Sequence, residues 1–300
     1  MIIDSRLRPP YKGFLDNWMF DAEYIPEYAK LFGSYMDESA RTRSMDLLFQ
    51  DMDELGVTYG MVQGRSGAGM NVPNEQVKEL VDTYPDRFLG VAFLDPGKGL
   101  DYCIEEIENY VINGPFVGIA MEPGTASDGV SRNIDHKDLY PIYEKCQENN
   151  ITVNVTYVSM GYQDSTCTMP QHVERVVKDF PKLKLLLGHS GWPWIMQTIA
   201  VVHRYRNVFL MPDMYSLRAP GWRDTVDAAN YLIQDNILFG SAYPLVSLRD
   251  QINNYKTLGF REEVMPKIMC QNAERVFGLK EYPPIRNYFA HVDIKDNENA

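Results

Sequence analysis

Short apolar runs alternate with segments of helical periodicity along the whole chain, and this alternation is what most limits the fold. Eight runs rich in Val, Ile and Leu predict strands at residues 2–4, 57–62, 88–94, 117–121, 151–155, 183–188, 208–211 and 237–240. Most lack strict alternation of apolar and polar residues, as is typical of strands covered on both faces. Helical patterns follow at 44–55, 74–84, 101–113, 137–149, 171–180, 193–205, 225–234, 246–258 and 262–277. This pattern predicts an α/β chain folded as a (β/α)8 TIM barrel.

A doubly wound sheet is the alternative fold, but no GxGxxG loop follows an early strand to favour it. We expect one domain over residues 1–280, because no linker or repeat divides the chain. Residues 9–42 are too many for a simple strand–helix connection and are rich in Tyr, Phe and Trp. We therefore expect an aromatic insertion over the barrel mouth, as a lid or an oligomer contact, and a polar tail at 281–300.

The composition limits the partners that the chain can bind. Its 29 basic and 41 acidic residues give a net charge of −12, which argues against nucleic acid and against anionic membrane surfaces. No segment approaches the ~18 apolar residues that a membrane span needs. The start, MIIDSRLRPP, has no signal-peptide pattern, and four cysteines are scattered without a CxxC motif. We expect free thiols and a cytoplasmic protein.

Two arginines stand where the first strand should end. Arg6 and Arg8 are one residue apart, so on an extended chain their side chains point the same way. In a barrel both would enter one pocket, where a buried positive pair is costly unless an anion compensates it. Salt bridges to structural carboxylates, or exposure to solvent, are the alternatives.

The active groups of such a barrel lie at the carboxyl ends of its strands. The other polar side chains predicted there are Arg65, Glu122, Thr156, His189, Asp213 and Tyr243, with Trp192 and Tyr215 close behind. Glu122 and Asp213 suit either chemistry or a structural ion pair, and Trp192 suits either a pocket wall or the start of a helix.

Six segments in order resemble the amidohydrolase-related family, which includes aminocarboxymuconate-semialdehyde and γ-resorcylate decarboxylases and some lactonases. They are MIIDSRLRPP, NEQVKELVDTYPDRFLGVAFLDP, FPKLKLLLGHSGWPW, NVFLMPD, NILFGSAYP and QNAERVFGL. The resemblance implies a metal-dependent-hydrolase-like barrel with one divalent metal ion. Its ligand positions fall on Arg6, Arg8, Thr156 and Ala242, and its acid/base histidine falls on His189.

The ligand positions depart from the family pattern. Guanidinium and methyl groups offer no lone pair to a metal, and two guanidinium groups would repel a divalent cation. We therefore predict no metal and no other cofactor. Fixed organic cations at these positions instead favour a small anionic substrate that carries a carboxylate.

The leading hypothesis is a metal-independent enzyme that hydrolyses a lactone or catalyses a lyase or hydratase step. Its predicted catalytic residues are His189, Asp213, Tyr243 and Glu122, and its predicted substrate-binding residues are Arg6, Arg8, Arg65, Thr156, Tyr215 and Trp192. Because the imidazole pKa is ~6.5, His189 suits an acid or base near neutrality.

Two alternatives stay open. One is a metal held by His189, Glu122 and Asp213, as in a decarboxylase or hydrolase like the relatives. The other is an inactive barrel that binds an anionic metabolite or a partner protein. The aromatic insertion favours a homodimer or a larger homo-oligomer.

Overall fold

Seven parallel strands lie side by side in the order of the sequence, as a barrel requires. The computed structural model describes residues 1–67 and 70–281. Its strands are β1 (Ile2–Asp4), β2 (Val57–Gln63), β3 (Phe88–Leu94), β4 (Gly118–Met121), β5 (Thr152–Thr156), β6 (Lys184–Gly188) and β7 (Val208–Met211), each paired with the next. The predicted tail at 281–300 lies outside the described residues, except for Glu281.

Helices connect the strands, and each of the nine predicted helical patterns overlaps an observed helix. The observed α-helices are α1 (Tyr24–Leu31), α2 (Glu38–Arg41), α3 (Met45–Leu55), α4 (Asn74–Thr83), α5 (Leu100–Glu106), α6 (Tyr140–Glu148), α7 (Pro170–Asp179), α8 (Ile195–Arg204), α9 (Trp222–Tyr231), α10 (Leu248–Thr257) and α11 (Asn272–Phe277). Wider π-turns at Ile107–Ile112 and Lys267–Gln271 extend α5 and precede α11. The predicted α/β barrel is confirmed.

The eighth predicted strand, at 237–240, is not a regular strand. Its ladder is limited to one bridge, between Leu210 and Ile237, because the Phe239 amide donates to the Ile268 carbonyl instead of to a strand. The segment still closes the ring, since the Leu238 amide donates to the Leu210 carbonyl of β7. On its other side the Phe239 carbonyl accepts from the Ser5 amide, just after β1. We call residues 237–242 the closing segment.

Asp4, at the end of β1, holds the closing segment in place. Its Oδ1 accepts from the Ser241 amide at 2.8 Å and from the Arg6 amide at 3.0 Å. Burial raises the pKa of this carboxyl, although both amides work in the opposite direction. One buried carboxyl therefore joins the first and last elements of the ring.

Both faces of the strands are buried, which explains why the strand sequences are apolar without alternation. Along β3, Leu89, Val91 and Phe93 belong to one apolar cluster. Phe88 and Leu94 belong to a second, larger cluster that includes residues of the surrounding helices. Successive strand side chains point to opposite faces, so one strand serves both layers.

The segment at 9–42 contributes to the core and also exposes aromatic surface. Phe14, Met19 and Phe20 are buried, whereas Trp18 and Tyr24 are 38 % and 52 % exposed. The predicted oligomer stays a prediction. Among the described residues, no helix is long and apolar enough to cross a bilayer.

Replacing Asp4 should weaken the closure of the barrel. Asp4→Ala removes the acceptor shared by two buried amides, and hydrogen bonds to charged groups contribute about 1.5–3 kcal/mol each. We expect the free energy of unfolding, measured by urea denaturation, to fall by roughly 3 kcal/mol. Asp4→Asn keeps an oxygen acceptor and should lose less than half as much. Equal stability of Asp4→Ala and the parent protein would contradict this role.

Candidate active site

Arg6 and Arg8 follow β1, and the structure places both at one cavity of about 220 Å³. Their exposed fractions are only 3 % and 2 %. The polar part of the cavity is lined by Arg6, Arg8, Arg65, Glu122, Thr156 and His189. Six of the ten predicted site residues therefore meet there, from the carboxyl ends of β1, β2, β4, β5 and β6 or from the loops after them, and a seventh, Tyr215, also lines the cavity.

Arg6 makes the largest number of polar contacts in the cavity. Its Nη2 donates to Thr156 Oγ1 at 3.2 Å and lies 3.3 Å from His189 Nε2. Its Nε lies 3.7 Å from Asp213 Oδ2. A methyl group at Gly188 would lie 2.7 Å from Arg6 Nη1, so a glycine at the end of β6 gives this guanidinium its space.

The contacts of His189 fix its tautomer. Guanidinium nitrogens only donate, so His189 Nε2 must accept from Arg6 and carry the lone pair. The proton therefore lies on Nδ1, which donates to Asp213 Oδ1 at 2.9 Å. Burial lowers the pKa of His189; Asp213 works against this shift and Arg6 adds to it. His189 is thus a neutral imidazole at the cavity, oriented by a buried carboxylate.

Glu122, just after β4, pairs with Arg65, which follows β2. Arg65 Nη1 lies 2.5 Å from Glu122 Oε1, and both side chains are 8 % exposed. The same oxygen accepts from Thr156 Oγ1 at 2.6 Å. Burial works to raise the pKa of Glu122, but Arg65 and Thr156 outweigh it and hold that pKa below its usual value. Glu122 is therefore an ionised carboxylate at neutral pH.

Arg8 differs from the other two arginines of the cavity. Within residues 1–67 and 70–281, no carboxylate oxygen lies within 4 Å of its guanidinium, and its Nε and Nη1 have no hydrogen-bond partner. Burial, followed by the nearby Arg6 and Arg65, holds the pKa of Arg8 well below its usual value. A buried cation in these surroundings is stabilised by an anion.

The other part of the cavity is apolar and aromatic. It is lined by Trp18, Met19, Tyr28, Met70, Thr125, Val158, Met160, Gly161, Met214, Tyr215 and Leu245. The Tyr215 ring stands edge-on to His189, with centroids 5.2 Å apart. The cavity therefore combines charged groups with a largely apolar and aromatic lining.

Three predicted site residues do not line the cavity. Asp213 is fully buried behind His189 and orients it. The Tyr243 hydroxyl donates to Ser39 Oγ at 3.2 Å, which directs it away from any substrate, and burial raises the pKa of this phenol. The Trp192 indole donates to the Pro220 carbonyl and packs on Tyr215 from behind.

The backbone is left-handed at three consecutive strand ends on this side. The φ angles are 62° at His189, 43° at Asp213 and 61° at Ala242, none of them glycine. Such conformations cost about 1–3 kcal/mol each and are found mainly at functional sites. Two of these residues, His189 and Asp213, are hydrogen-bonded to one another.

The donor set does not fit the metal that the family resemblance implies. Arg6 Nη2 lies 3.3 Å from His189 Nε2, so a fixed cation stands beside the nitrogen that carries the lone pair. In the part of the chain that the structure describes, no group of three His, Cys, Asp or Glu side chains could hold an ion. His189, Glu122 and Asp213 therefore do not form the alternative metal site considered from the sequence.

Sequence reasoning missed several lining residues. Trp18, Met19 and Tyr28 come from the insertion, whose aromatic content predicted a cover without indicating which side chains face inwards. Met160 and Leu245 lie in loops after strands, where an apolar residue carries no functional signal. In the sequence, Gly188 is recognisable only as part of a predicted strand, and nothing there indicates that it provides space for Arg6.

Comparisons with known proteins agree with this architecture. A model of the amidohydrolase family matches residues 7–279. An uncharacterised TIM-barrel protein from Bordetella bronchiseptica is 32 % identical, with a TM-score of 0.86 over 92 % of this chain and 98 % of that one. No curated protein matches the sequence.

Two enzymes share the fold at lower identity. A dihydroxybenzoic acid decarboxylase from Polaromonas sp. JS666, with bound manganese and the inhibitor 2-nitroresorcinol, is 18 % identical, with a TM-score of 0.68 over 94 % of this chain and 98 % of that one. 4-Oxalomesaconate hydratase from Rhodopseudomonas palustris is 20 % identical, with a TM-score of 0.60 over all of both chains. Likeness at this level shows the fold alone.

The protonation of His189 can be tested directly by nitrogen-resolved NMR titration of labelled histidines. We expect a pKa below 6.5 and a proton on Nδ1 in the neutral form. Asp213→Asn should lower this pKa further, because it removes the carboxylate that stabilises the imidazolium. Arg6→Gln should raise it, because it removes a neighbouring cation. Shifts of the same sign in both variants would contradict the arrangement.

Proposed function

The chain belongs to the amidohydrolase family, and from that premise we propose that it is a metal-independent enzyme acting on a small carboxylate. The observation that carries the proposal is the pairing of two features in one cavity. A buried guanidinium, that of Arg8, has no carboxylate partner among the described residues, and it lies in the same cavity as a neutral histidine. The first feature recognises an anion, and the second moves a proton.

Arg8 binds the substrate carboxylate. A guanidinium presents N–H groups in a planar fork that matches both oxygens of a carboxylate. The Nη1 of Arg6 has no hydrogen-bond partner among the described residues and adds a donor to the site. In a buried site these charge-assisted bonds contribute about 1.5–3 kcal/mol each.

His189 acts as the general base and then as the general acid. Its Nε2 carries the lone pair, and Asp213 stabilises the imidazolium that forms when this nitrogen takes a proton. In the described structure Arg6 donates to the same nitrogen. A carboxylate that engages Arg6 draws that donor away, so Nε2 becomes available to the substrate.

Two reactions use this arrangement. In lactone hydrolysis, His189 takes a proton from water, hydroxide adds to the carbonyl carbon, and the proton is returned to the departing ring oxygen. In a lyase or hydratase step, His189 takes a proton from the carbon next to the carboxylate, and the electron pair is held as an enolate. The enolate then forms a double bond to the next carbon and expels its hydroxyl group, which leaves as water with the proton that His189 returns. In both, negative charge develops on an oxygen that Arg6 and Arg8 stabilise.

The names of the similar enzymes support this class. Dihydroxybenzoic acid and 4-oxalomesaconate are both carboxylates, and one of these enzymes removes a carboxylate while the other adds water. The decarboxylase contains manganese. Here Arg6 supplies fixed positive charge beside the histidine, and we propose that it replaces the ion.

Substitutions at Arg8 and His189 should separate binding from chemistry. Once a screen of small carboxylates and lactones identifies a substrate, we expect Arg8→Ala to raise KM about tenfold to hundredfold. His189→Ala should abolish turnover and leave the dissociation constant, measured by calorimetry, nearly unchanged. Arg41→Ala, which removes an exposed cation paired with Glu38, is the control. Unchanged turnover in His189→Ala would defeat the assignment.

The metal requirement has its own test. We expect elemental analysis of the active protein to find far less than one equivalent of zinc or manganese, and a chelator to leave turnover unchanged. Stoichiometric metal that tracks activity would favour a metal-dependent enzyme instead. A carboxylate that raises the melting temperature, without turnover of any compound in the screen, would favour a binding protein.

A further inference from the structure

The three guanidinium groups of the cavity are not equivalent, because two are already paired with carboxylates. Arg65 lies 2.5 Å from Glu122, and Arg6 lies 3.7 Å from Asp213. Arg8 has no carboxylate within 4 Å in the described ranges 1–67 and 70–281. Since each pair carries no net charge, Arg8 is the single unbalanced cation among the cavity residues that the structure describes.

Asp4 and Asp95 are also buried carboxyl groups near this end of the barrel, but neither pairs with Arg8. Asp95 accepts from the Ser66 hydroxyl and from the Gly97 and Ser127 amides. Asp4 uses Oδ1 to accept from the Arg6 and Ser241 amides. It is completely buried, and neither of its oxygens lies within 4 Å of the Arg8 guanidinium. Arg8 therefore remains the cation available to a ligand.

We propose that the cavity selects substrates with a single carboxylate, and that Glu122 is the residue that sets this limit. The inference rests on the proposed function and narrows its substrate class. One unpaired guanidinium fork receives one carboxylate. A second carboxylate would meet Arg65 already neutralised and would be repelled by Glu122 at short range, where little water screens the two charges.

The position of Glu122 suits this role. It lines the cavity, it is 8 % exposed, and it is held on one side by Arg65 and on the other by the Thr156 hydroxyl. It therefore cannot swing into solvent without giving up both contacts. Among the described residues, the rest of the lining is largely apolar, with Met19 and Met214 among its members, and it provides no further cation for a second anionic group.

The size of the cavity guides the choice of probes. Its volume of about 220 Å³ exceeds the roughly 150 Å³ of an engineered cavity that holds benzene. Benzoate and isophthalate form one matched pair, with one and two carboxylates on the same ring. Hexanoate and adipate form a second pair on a chain, so an effect of charge can be separated from an effect of shape.

The test is calorimetric binding of these four acids to the intact protein at pH 7.5, which requires no turnover. We expect each monocarboxylate to bind at least about tenfold more tightly than its dicarboxylate partner, because the second carboxylate loses its hydration without gaining a cation and is repelled by Glu122. In Glu122→Gln, Arg65 is freed, and the preference should shift towards the dicarboxylates by at least about tenfold.

Two further variants serve as controls. Glu122→Gln combined with Arg65→Gln removes the freed cation together with the anion, so the preference for monocarboxylates should return. Arg65→Gln alone leaves Glu122 unpaired, so it should weaken binding of all four acids, and of the dicarboxylates most. Glutamine at 122 keeps an acceptor for Thr156 Oγ1, and melting curves verify that each variant is folded. If Glu122→Gln does not fold, Arg65→Gln alone decides.

The outcomes separate this inference from the proposed function. If the parent protein binds dicarboxylates more tightly, or if Glu122→Gln leaves the ratio unchanged, the limit set by Glu122 is wrong while carboxylate binding stands. If the folded parent protein binds none of the four acids, the carboxylate site itself is wrong, and the proposed function fails with it.

Discussion

The buried guanidinium of Arg6 is the interaction on which the rest of the candidate site depends. It lies against His189 Nε2, and because it only donates, it fixes which nitrogen of the imidazole carries the proton. It also places a positive charge where the family resemblance implies a metal ion. The Arg6 guanidinium therefore favours the neutral form of the His189 imidazole, and its charge also repels a divalent cation beside that ring.

This guanidinium is part of a continuous series of polar contacts across the strand ends. The series runs from Asp213 through His189, Arg6 and Thr156 to Glu122. It joins residues that follow or end β1, β4, β5, β6 and β7. Polar groups buried in this way are costly when one partner is removed, so each member of the series depends on its neighbours. Charge and geometry in the cavity are set by the series as a whole.

The sequence by itself determined the elements of the barrel and the polar character of its strand ends. Apolar runs and helical periodicity are local properties, so they predict β2 or α4 without knowledge of the rest of the chain. The spacing of Arg6 and Arg8 is also local, and it predicts that both side chains point the same way. The position of His189 in GHSGWPW, at the end of a predicted strand, was readable for the same reason.

Only the tertiary structure decided how these charges are paired. Arg65 meets Glu122, Arg8 meets no carboxylate among the described residues, and Tyr243 turns to Ser39, which is 204 residues away in the sequence. The closing segment likewise has the sequence of a strand, yet the Phe239 amide donates to the Ile268 carbonyl of a helical turn instead of to a neighbouring strand. The energies of hydrogen bonds and ion pairs fall off within a few ångströms. Because the distances between residues remote in sequence are fixed only when the barrel closes, the sequence alone does not specify these pairs.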